Sequence, residues 1–250
     1  MSSPVTLAIV MPVYNEEAII GQVLGAWTRE LDRLDIAYEL HAYNDGSTDG
    51  TLGRLRLFAA ACSKVVVHDK PNSGHGATIL LGYREQSDKE WIFQVDSDDE
   101  TGPEEFAHLW RNRERYDLLI GRREGRQTPL PRRVMTFASR TLVRVCYGPG
   151  ITDVNCPYRL MRRDVFRPFF HGIPDHVFAP NVILSGLAVR DRFHILEAPV
   201  ACRPRRTGTT TIRGLRVLRI APSSFWQTLC LRTLRPAPDP FPPSEFTAID

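Results

Sequence analysis

Four acidic residues follow a short apolar stretch near the middle of the sequence. Residues 91–95 (WIFQV) are mostly aromatic and β-branched, which predicts a buried strand. The next five positions contain Asp96, Asp98, Asp99 and Glu100. A buried carboxylate needs a partner or a metal ion, so acids at the end of a core strand indicate a binding site.

Asp96, Ser97 and Asp98 form an Asp-X-Asp sequence at that strand end. Ligands of open α/β sheets bind just beyond the carboxyl ends of the strands. Two carboxylates one residue apart at that place suit a hard divalent cation, Mg²⁺ or Mn²⁺, which also binds substrate phosphates. The alternative is a strand that ends in a solvated acidic turn, and this stretch alone does not separate the two readings.

The elements that must position these acids alternate along the chain. Strands are predicted at about residues 5–13, 37–43, 64–68, 91–95, 117–120 and 194–201. Helices are predicted at about residues 17–34, 51–61, 103–115, 134–147 and 174–187, with another opened by the glycine-bearing residues 72–78. A basic loop is predicted at residues 122–133. The β-loop-α alternation predicts an α/β fold with a mostly parallel central sheet.

Composition restricts the class of protein. The 250 residues carry a formal net charge of +3, which is too small to argue for a nucleic-acid partner. The five cysteines are scattered and lack CxxC spacing, so neither a zinc site nor a disulfide framework is indicated. No secretory signal or apolar run of about 18 residues is present in the sequence given. We therefore expect a cytoplasmic location.

Five polar stretches occur in the order found in family 2 glycosyltransferases of GT-A fold. They are residues 12–16 (PVYNE), 44–49 (NDGSTD), 72–78 (NSGHGAT), 96–98 (DSD) and 153–160 (DVNCPYRL). Within that family the chain looks most like the dolichyl- and polyprenyl-phosphate mannosyl- and glucosyltransferases. The resemblance implies a three-layer α/β/α GT-A domain at residues 1–212. Residues 213–250 then form a C-terminal extension, with an Arg-rich amphipathic segment and a Pro-rich tail.

The resemblance also implies which residues bind the nucleotide-diphospho-sugar donor. Residues expected to line the pocket for base and ribose are Pro12, Tyr14, Glu16 and Asp45. Backbone N–H groups expected to bind the diphosphate belong to Asn72, Gly74 and Gly76. Further donor contacts are expected from Asp96, Ser97 and Arg205. Simpler readings remain for several of these, since Glu16 also suits a helix N-terminus, Asp45 a turn and the glycines a tight loop.

The metal and the acceptor have their own implied residues. Asp98 is the expected metal ligand, Asp96 a ligand of the metal or the ribose, and Glu100 a further metal contact. Arg123 is expected to approach the sugar or phosphates, and Arg159 belongs to a motif that closes the site. Catalytic roles are therefore expected for Asp98, Asp153, Arg123 and Arg159. Asp153 has two open readings, a general base or an ion pair with Arg159 that shapes the loop.

Two departures from the family bear on the acceptor. Asn181 stands where the family often has an acid, and the basic motif at residues 205–211 lacks its final lysine. A lipid phosphate is already ionised near neutral pH and needs no protein base, whereas a sugar hydroxyl does. The missing acid thus favours a phosphate acceptor.

The predicted activity is inverting transfer of a hexose from a GDP- or UDP-linked sugar to an acceptor, polyprenyl phosphate. The alternative acceptor is a hydroxyl of a glycan or a small molecule. Two alternatives from other classes are a sugar-1-phosphate nucleotidyltransferase and a non-catalytic nucleotide-sugar-binding protein. Residues 215–232 mix apolar and Arg positions. They predict either peripheral contact with the inner face of a membrane or a helix that packs on the domain, interrupted at Pro222.

Overall fold

The computed structural model describes residues 6–86, 88–125, 130–203 and 215–236. The strands are β1 Leu7–Val13, β2 Tyr38–Asp45, β3 Val65–Lys70, β4 Trp91–Gln94, β5 Leu118–Glu124, β6 Arg159–Arg162 and β7 Ile195–Ala201. The helices are α1 Ile20–Arg33, α2 Thr51–Ala61, α3 His75–Glu85, α4 Phe106–Asn112, α5 Leu130–Cys146, α6 Arg163–Gly172, α7 Pro180–Arg190 and α8 Leu215–Cys230.

The described strands form one sheet in the order β3-β2-β1-β4-β6-β5-β7. Every neighbouring pair is parallel except those of β6, which runs antiparallel to β4 and to β5. The predicted α/β class with a mostly parallel sheet is confirmed. The chain builds β2 and β3 on one side of β1 and then places β4 on the other side. The order therefore reverses between β1 and β4.

Helices cover both faces of the sheet. Ile9 of β1 is in register with Phe93 of β4, so both side chains point to the same face. The ring of Trp27 in α1 lies 5.3 Å from the ring of Phe93 on that face. Val10 points to the opposite face, where α3 packs so closely that a side chain at Gly82 would collide with it. The result is the predicted three-layer α/β/α arrangement.

The structure corrects several predicted boundaries. Strand β6 and helix α6 lie in a region where neither was predicted. The predicted loop at residues 122–133 is shorter, because β5 extends to Glu124 and α5 begins at Leu130. The predicted interruption at Pro222 is wrong, since α8 runs through it as one helix. Among the residues described, no helix has the length and apolar composition needed to cross a lipid bilayer.

Candidate active site at the reversal of the sheet

The acidic turn lies beside the carboxyl end of β1. Strand β4 ends at Gln94, and the chain turns at once towards the loop that follows β1. The hydroxyl of Ser97 donates a hydrogen bond of 2.9 Å to the carbonyl of Pro12, and Ser97 is buried. Ser97 and Pro12, both predicted donor contacts, thus join the ends of β1 and β4. The acids of residues 96–100 therefore lie where the order of the strands reverses.

The turn is held by a residue that follows β7. Asp98 Oδ1 accepts a hydrogen bond of 3.1 Å from the N–H of Glu100, and Asp99 has a φ of 57°. The N–H of Arg203 donates to the carbonyl of Glu100 at 2.9 Å. Its guanidinium lies 3.4 Å from Asp99 Oδ1 and also contacts Glu104. Arg203 thus fixes the turn by both main chain and side chain.

Asp96 lies next to the first residue of α3. Its Oδ1 is 3.6 Å from His75 Nε2 and 3.4 Å from Gln94 Nε2. His75 is more than half exposed, so its ring stands at the surface beside the acidic turn. No spacing in the sequence connects position 75 with position 96, because the contact exists only once α3 and β4 are packed.

The donor chemistry of the turn fits a hard divalent cation. Asp96, Asp98 and Glu100 are all partly exposed and offer carboxylate oxygens. Within the described ranges, no group of three or more His, Cys, Asp or Glu residues is arranged to hold a metal ion. Mg²⁺ is commonly held by one or two carboxylates together with substrate phosphates. The turn therefore suits a cation that binds jointly with a diphosphate, and the predicted three-carboxylate set is not preassembled.

The predicted nucleotide pocket is built from two interlocked loops. The N–H of Asn15 donates to Ser47 Oγ at 3.0 Å, and the N–H of Thr48 donates to Asn15 Oδ1 at 2.8 Å. The N–H of Glu16 donates to Thr51 Oγ1 at 2.8 Å, and the side chain of Glu16 is buried. Tyr14 is 38% exposed, so this ring is available at the surface.

Asp45 points into its own neighbouring loop. Its carboxylate accepts hydrogen bonds from the N–H groups of Ser73 at 2.8 Å and Gly74 at 3.0 Å, and it forms an ion pair with Lys70. Burial opposes the charged form, but Lys70, the N–H of Ser73 and the hydroxyl of Thr78 outweigh it and lower the pKa of Asp45. Asn72 donates its side-chain N–H to the carbonyl of Asp45 at 2.8 Å. The carboxylate of Asp45 therefore already accepts a hydrogen bond from the Gly74 N–H, which was expected to bind the donor diphosphate.

Glycine is required at positions 74 and 76 for two different structural reasons. Gly74 has a φ of 90°, which side chains other than glycine rarely adopt. A Cβ at Gly76 would lie 2.3 Å from the carbonyl oxygen of Phe178 and 2.7 Å from that of Val177. The close approach at Gly76 is thus to the chain's own backbone, on the loop before α7.

Asp153 forms an ion pair with Arg123, so one of its two open readings, an ion pair with Arg159, is wrong. Arg123 Nε and Nη2 donate to the two carboxylate oxygens of Asp153 at 2.7 and 2.8 Å. The side chains are only 12% and 13% exposed. Burial opposes the charge of Arg123, but the hydrogen bonds to Asp153 raise its pKa above the ordinary value. The N–H of Asp153 donates to Glu197 Oε1 at 2.8 Å, which orients the acid further.

Arg159 is fully buried and binds main-chain carbonyls. It donates to Cys156 at 2.7 and 2.9 Å, to Val154 at 3.2 Å and to Asn181 at 3.1 Å. Burial lowers its pKa from the ordinary value. We therefore place Arg159 among the residues that shape the site, which corrects its expected role as a residue in contact with substrate.

Asn181 belongs to a buried polar network beneath Asp96. Its Nδ2 donates to Gln94 Oε1 at 2.8 Å, and its Oδ1 lies 2.9 Å from the hydroxyl of Tyr83. The same hydroxyl lies 2.5 Å from Gln94 Oε1. The amide supplies a donor to Gln94 that an ionised carboxylate lacks. The remaining predicted donor contact, Arg205, lies outside the described residues.

Comparisons with known proteins agree on one family. Residues 8–170 match the family described as Glycosyl transferase family 2. Undecaprenyl-phosphate 4-deoxy-4-formamido-L-arabinose transferase of Pseudomonas paraeruginosa is 29% identical over 217 residues, which are 86% of this chain and 62% of that protein. Polyprenol monophosphomannose synthase of Mycolicibacterium smegmatis is 26% identical over 227 residues, covering 84% and 82% of the two chains. The chain thus spans under two thirds of the length of the first of these relatives.

Solved structures share the fold. Glucosyl-3-phosphoglycerate synthase from Mycobacterium tuberculosis, in complex with Mn²⁺, UDP-glucose and phosphoglyceric acid, superposes with a TM-score of 0.66. The superposition covers 91% of this chain and 79% of that chain, at 21% sequence identity. A likeness at this identity establishes the arrangement of helices and strands alone.

Proposed function

Because the chain belongs to the family 2 glycosyltransferases and has their GT-A-like fold, we propose that it transfers a hexosyl unit from a nucleotide-diphospho-sugar to polyprenyl phosphate, with inversion at the anomeric carbon. The donor in this proposal is GDP- or UDP-linked. The resemblance predicted from the five polar stretches is confirmed by the family match.

The observation that carries the proposal is the place of the acidic turn. Open α/β sheets bind ligands outside the carboxyl ends of the strands, at the point where the strand order reverses. Here that point lies between β1 and β4, and the hydrogen bond from Ser97 to Pro12 joins the two strand ends. Asp96 and Asp98 emerge there, and the surface ring of His75 lies beside Asp96.

The roles of the chain's residues follow from this arrangement. Asp96 and Asp98 would hold Mg²⁺ or Mn²⁺ at the donor diphosphate. A bound divalent cation supplies neutralisation of the charge that develops on the leaving diphosphate. Tyr14 and Glu16, whose loop is hydrogen-bonded to Thr51 of α2, bind the nucleoside. Arg203 keeps the turn in place as the diphosphate leaves.

The acceptor assignment rests on charge. The phosphate oxygen of the lipid forms a bond to the anomeric carbon while the bond from that carbon to the nucleoside diphosphate breaks. A phosphate monoester is ionised near neutral pH, so this attack needs no protein base. Asp153 is engaged by Arg123, and Asn181 stands in a buried amide network, which agrees with such an acceptor. The names of the relatives above specify undecaprenyl phosphate and polyprenol, which supports the same class.

The proposal places the protein at the inner face of a membrane, on its cytoplasmic side, because the acceptor is a membrane lipid. The contact is peripheral in this proposal. For transfer to the lipid, the opening of the active site has only to reach the headgroup region of the bilayer.

Incubation of the purified protein with GDP- or UDP-sugars, a short-chain polyprenyl phosphate and Mn²⁺ tests the proposal. We expect labelled sugar to enter an organic-soluble lipid product. Asp98→Asn keeps an oxygen for the N–H of Glu100 but removes the charge, and transfer is expected to fall by at least about a hundredfold. Asp88→Asn, an exposed acid before the opposite end of β4, is the matched control. Transfer to sugars or proteins alone, or full activity of Asp98→Asn, would reject the proposal.

A further inference from the structure

Helices α5 and α8 are neighbours on the surface and leave large apolar side chains uncovered. Phe137 and Val145 of α5 are 70% and 79% exposed, and Phe225 and Trp226 of α8 are 50% and 65% exposed. We name these four residues, with Arg140 and Arg144 of α5, the α5–α8 face. We propose that this face docks the protein onto an anionic membrane surface and brings the active site to the headgroups. The orientation of the active site towards the headgroups rests on the proposed function, whereas binding of this face to a membrane does not.

The exposed apolar residues are concentrated on this face. Among the described residues, the other large apolar side chains with comparable exposure are Tyr14, Leu57 and Phe178. Tyr14 belongs to the donor loop, Leu57 stands alone on α2, and Phe178 lies beside α8. Clustered exposed aromatic side chains mark surfaces that bind proteins or membranes, whereas isolated ones are ordinary.

The charge of both helices complements anionic lipid. Arg140 and Arg144 of α5 are exposed, and neither α5 nor α8 contains an Asp or Glu residue. The sequence lacks Asp and Glu throughout residues 125–152 and again throughout residues 202–238. Basic residues interspersed with aromatic ones are typical of helices that lie in the headgroup region. A second copy of the chain is a poor occupant, because two acid-free, Arg-bearing faces repel each other.

A small pocket adds a place for a lipid headgroup. Arg140 and Arg144 line it together with residues 148–152, which return from the end of α5. Both arginines are exposed and stand one turn apart on α5. Two guanidinium groups at this spacing present several donors to one phosphate.

Helix α8 is fixed to the domain close to the active site. The hydroxyl of Tyr147 donates to the carbonyl of Thr228 at 2.6 Å. Gln227 accepts from the N–H of Phe178 at 3.1 Å and donates to the carbonyl of His176 at 3.3 Å. The same loop lies against Gly76, which follows His75 beside Asp96. The aromatic residues of α8 are therefore separated from the acidic turn by one loop and the first turn of α3.

Sedimentation of the full chain with lipid vesicles tests this inference. We expect binding to vesicles that contain phosphatidylglycerol, weaker binding to pure phosphatidylcholine, and release by salt. The double variant Phe225→Ser/Trp226→Ser is expected to lose at least about tenfold in binding, because both rings enter the interface. Arg140→Gln/Arg144→Gln is expected to lose about thirtyfold in binding on anionic vesicles only, since each of the two arginines contributes about 1 kcal/mol near such a surface.

Leu57→Ser, an equally exposed apolar residue on α2, is the matched control and is expected to bind like the wild type. All these positions are exposed, so circular dichroism is expected to show unchanged folding. Equal recovery of the wild type and both double variants overturns the inference. So does a dimer that is lost in Phe225→Ser/Trp226→Ser while vesicles are not bound. Turnover of a short-chain acceptor in solution separates the two proposals, because it is expected to survive in Phe225→Ser/Trp226→Ser.

Discussion

Replacing Asp153 with Asn separates the two roles that were open for this carboxylate. In the structure it forms two hydrogen bonds to Arg123, and both side chains are almost buried. Asparagine keeps the shape but leaves the guanidinium charge without its counter-ion. Removing one partner of a buried ion pair costs about 3–5 kcal/mol. We expect a loss of about 3 kcal/mol, the lower end, because both side chains retain some solvent contact.

Urea unfolding followed by circular dichroism measures this loss, and a second variant shows its origin. Arg123→Gln/Asp153→Asn removes both charges and replaces them with two amides that can bond to each other. We expect the double variant to recover more than half of the stability lost by Asp153→Asn. If the two residues formed only a solvent-exposed surface ion pair, the free energy of unfolding would change by less than about 1 kcal/mol in either variant.

The pH dependence of transfer decides whether Asp153 also acts as a base. An ion-paired carboxylate does not accept a proton from the acceptor, so the acid limb of the kcat/KM profile is expected to keep its shape in Asp153→Asn. A moderate fall in kcat is expected from the loosened loop. The reasoning is refuted if Asp153→Asn is as stable as the wild type while kcat falls by about a thousandfold and the acid limb disappears.

Three further predictions concern other parts of the molecule. Burial lowers the pKa of His41 to about 4, so the unfolded state binds more protons between pH 6.5 and 4, and stability falls as pH falls in this window. The loss reaches at most about 3 kcal/mol, and urea unfolding at several pH values should show a smaller slope for His41→Gln. Gly76→Ala drives a Cβ into the carbonyl of Phe178 and should lower the melting temperature, whereas Gly53→Ala in α2 has open space and should raise it slightly. Chelation of divalent ions should abolish transfer, and Mg²⁺ or Mn²⁺ should restore it.

Strands with long hydrophobic runs were predictable from the sequence. A strand that forms only because it pairs with neighbouring strands was missed. β1 is apolar except at its proline, and its seven residues are all buried. β6 has only four residues, and Arg159 and Arg162 stand at its ends, so no run of apolar residues marks it. Its strand conformation comes from antiparallel pairing with both β4 and β5. Helix α8 likewise continues through Pro222, where the sequence predicted an interruption.

The acidic turn was predictable because its residues are adjacent in sequence, whereas its supports are not. Arg203, which contacts Asp99, follows β7. His75, which contacts Asp96, is the first residue of α3. Such contacts depend on the sheet order, which no local pattern contains. Asp45 was predicted in the loop after the second strand, but it is the last residue of β2, and its carboxylate binds the Gly74 N–H and Lys70. The sequence identifies an acid near the end of a strand. It does not identify the N–H groups or the cation that this carboxylate will bind.

The charge balance of the site connects the proposed acceptor with the proposed cation. A lipid phosphate and a donor diphosphate are both anions, and they must approach each other beside Asp96 and Asp98. The charge of Arg123 is largely balanced by Asp153, and Arg159 lies buried among carbonyls, so neither supplies much positive potential to this approach. In the proposed reaction, a divalent cation held by Asp96 and Asp98 would offset this repulsion and also neutralise charge on the leaving group. If the α5–α8 face binds the membrane as proposed, its arginines would also attract the anionic acceptor and so offset part of this repulsion.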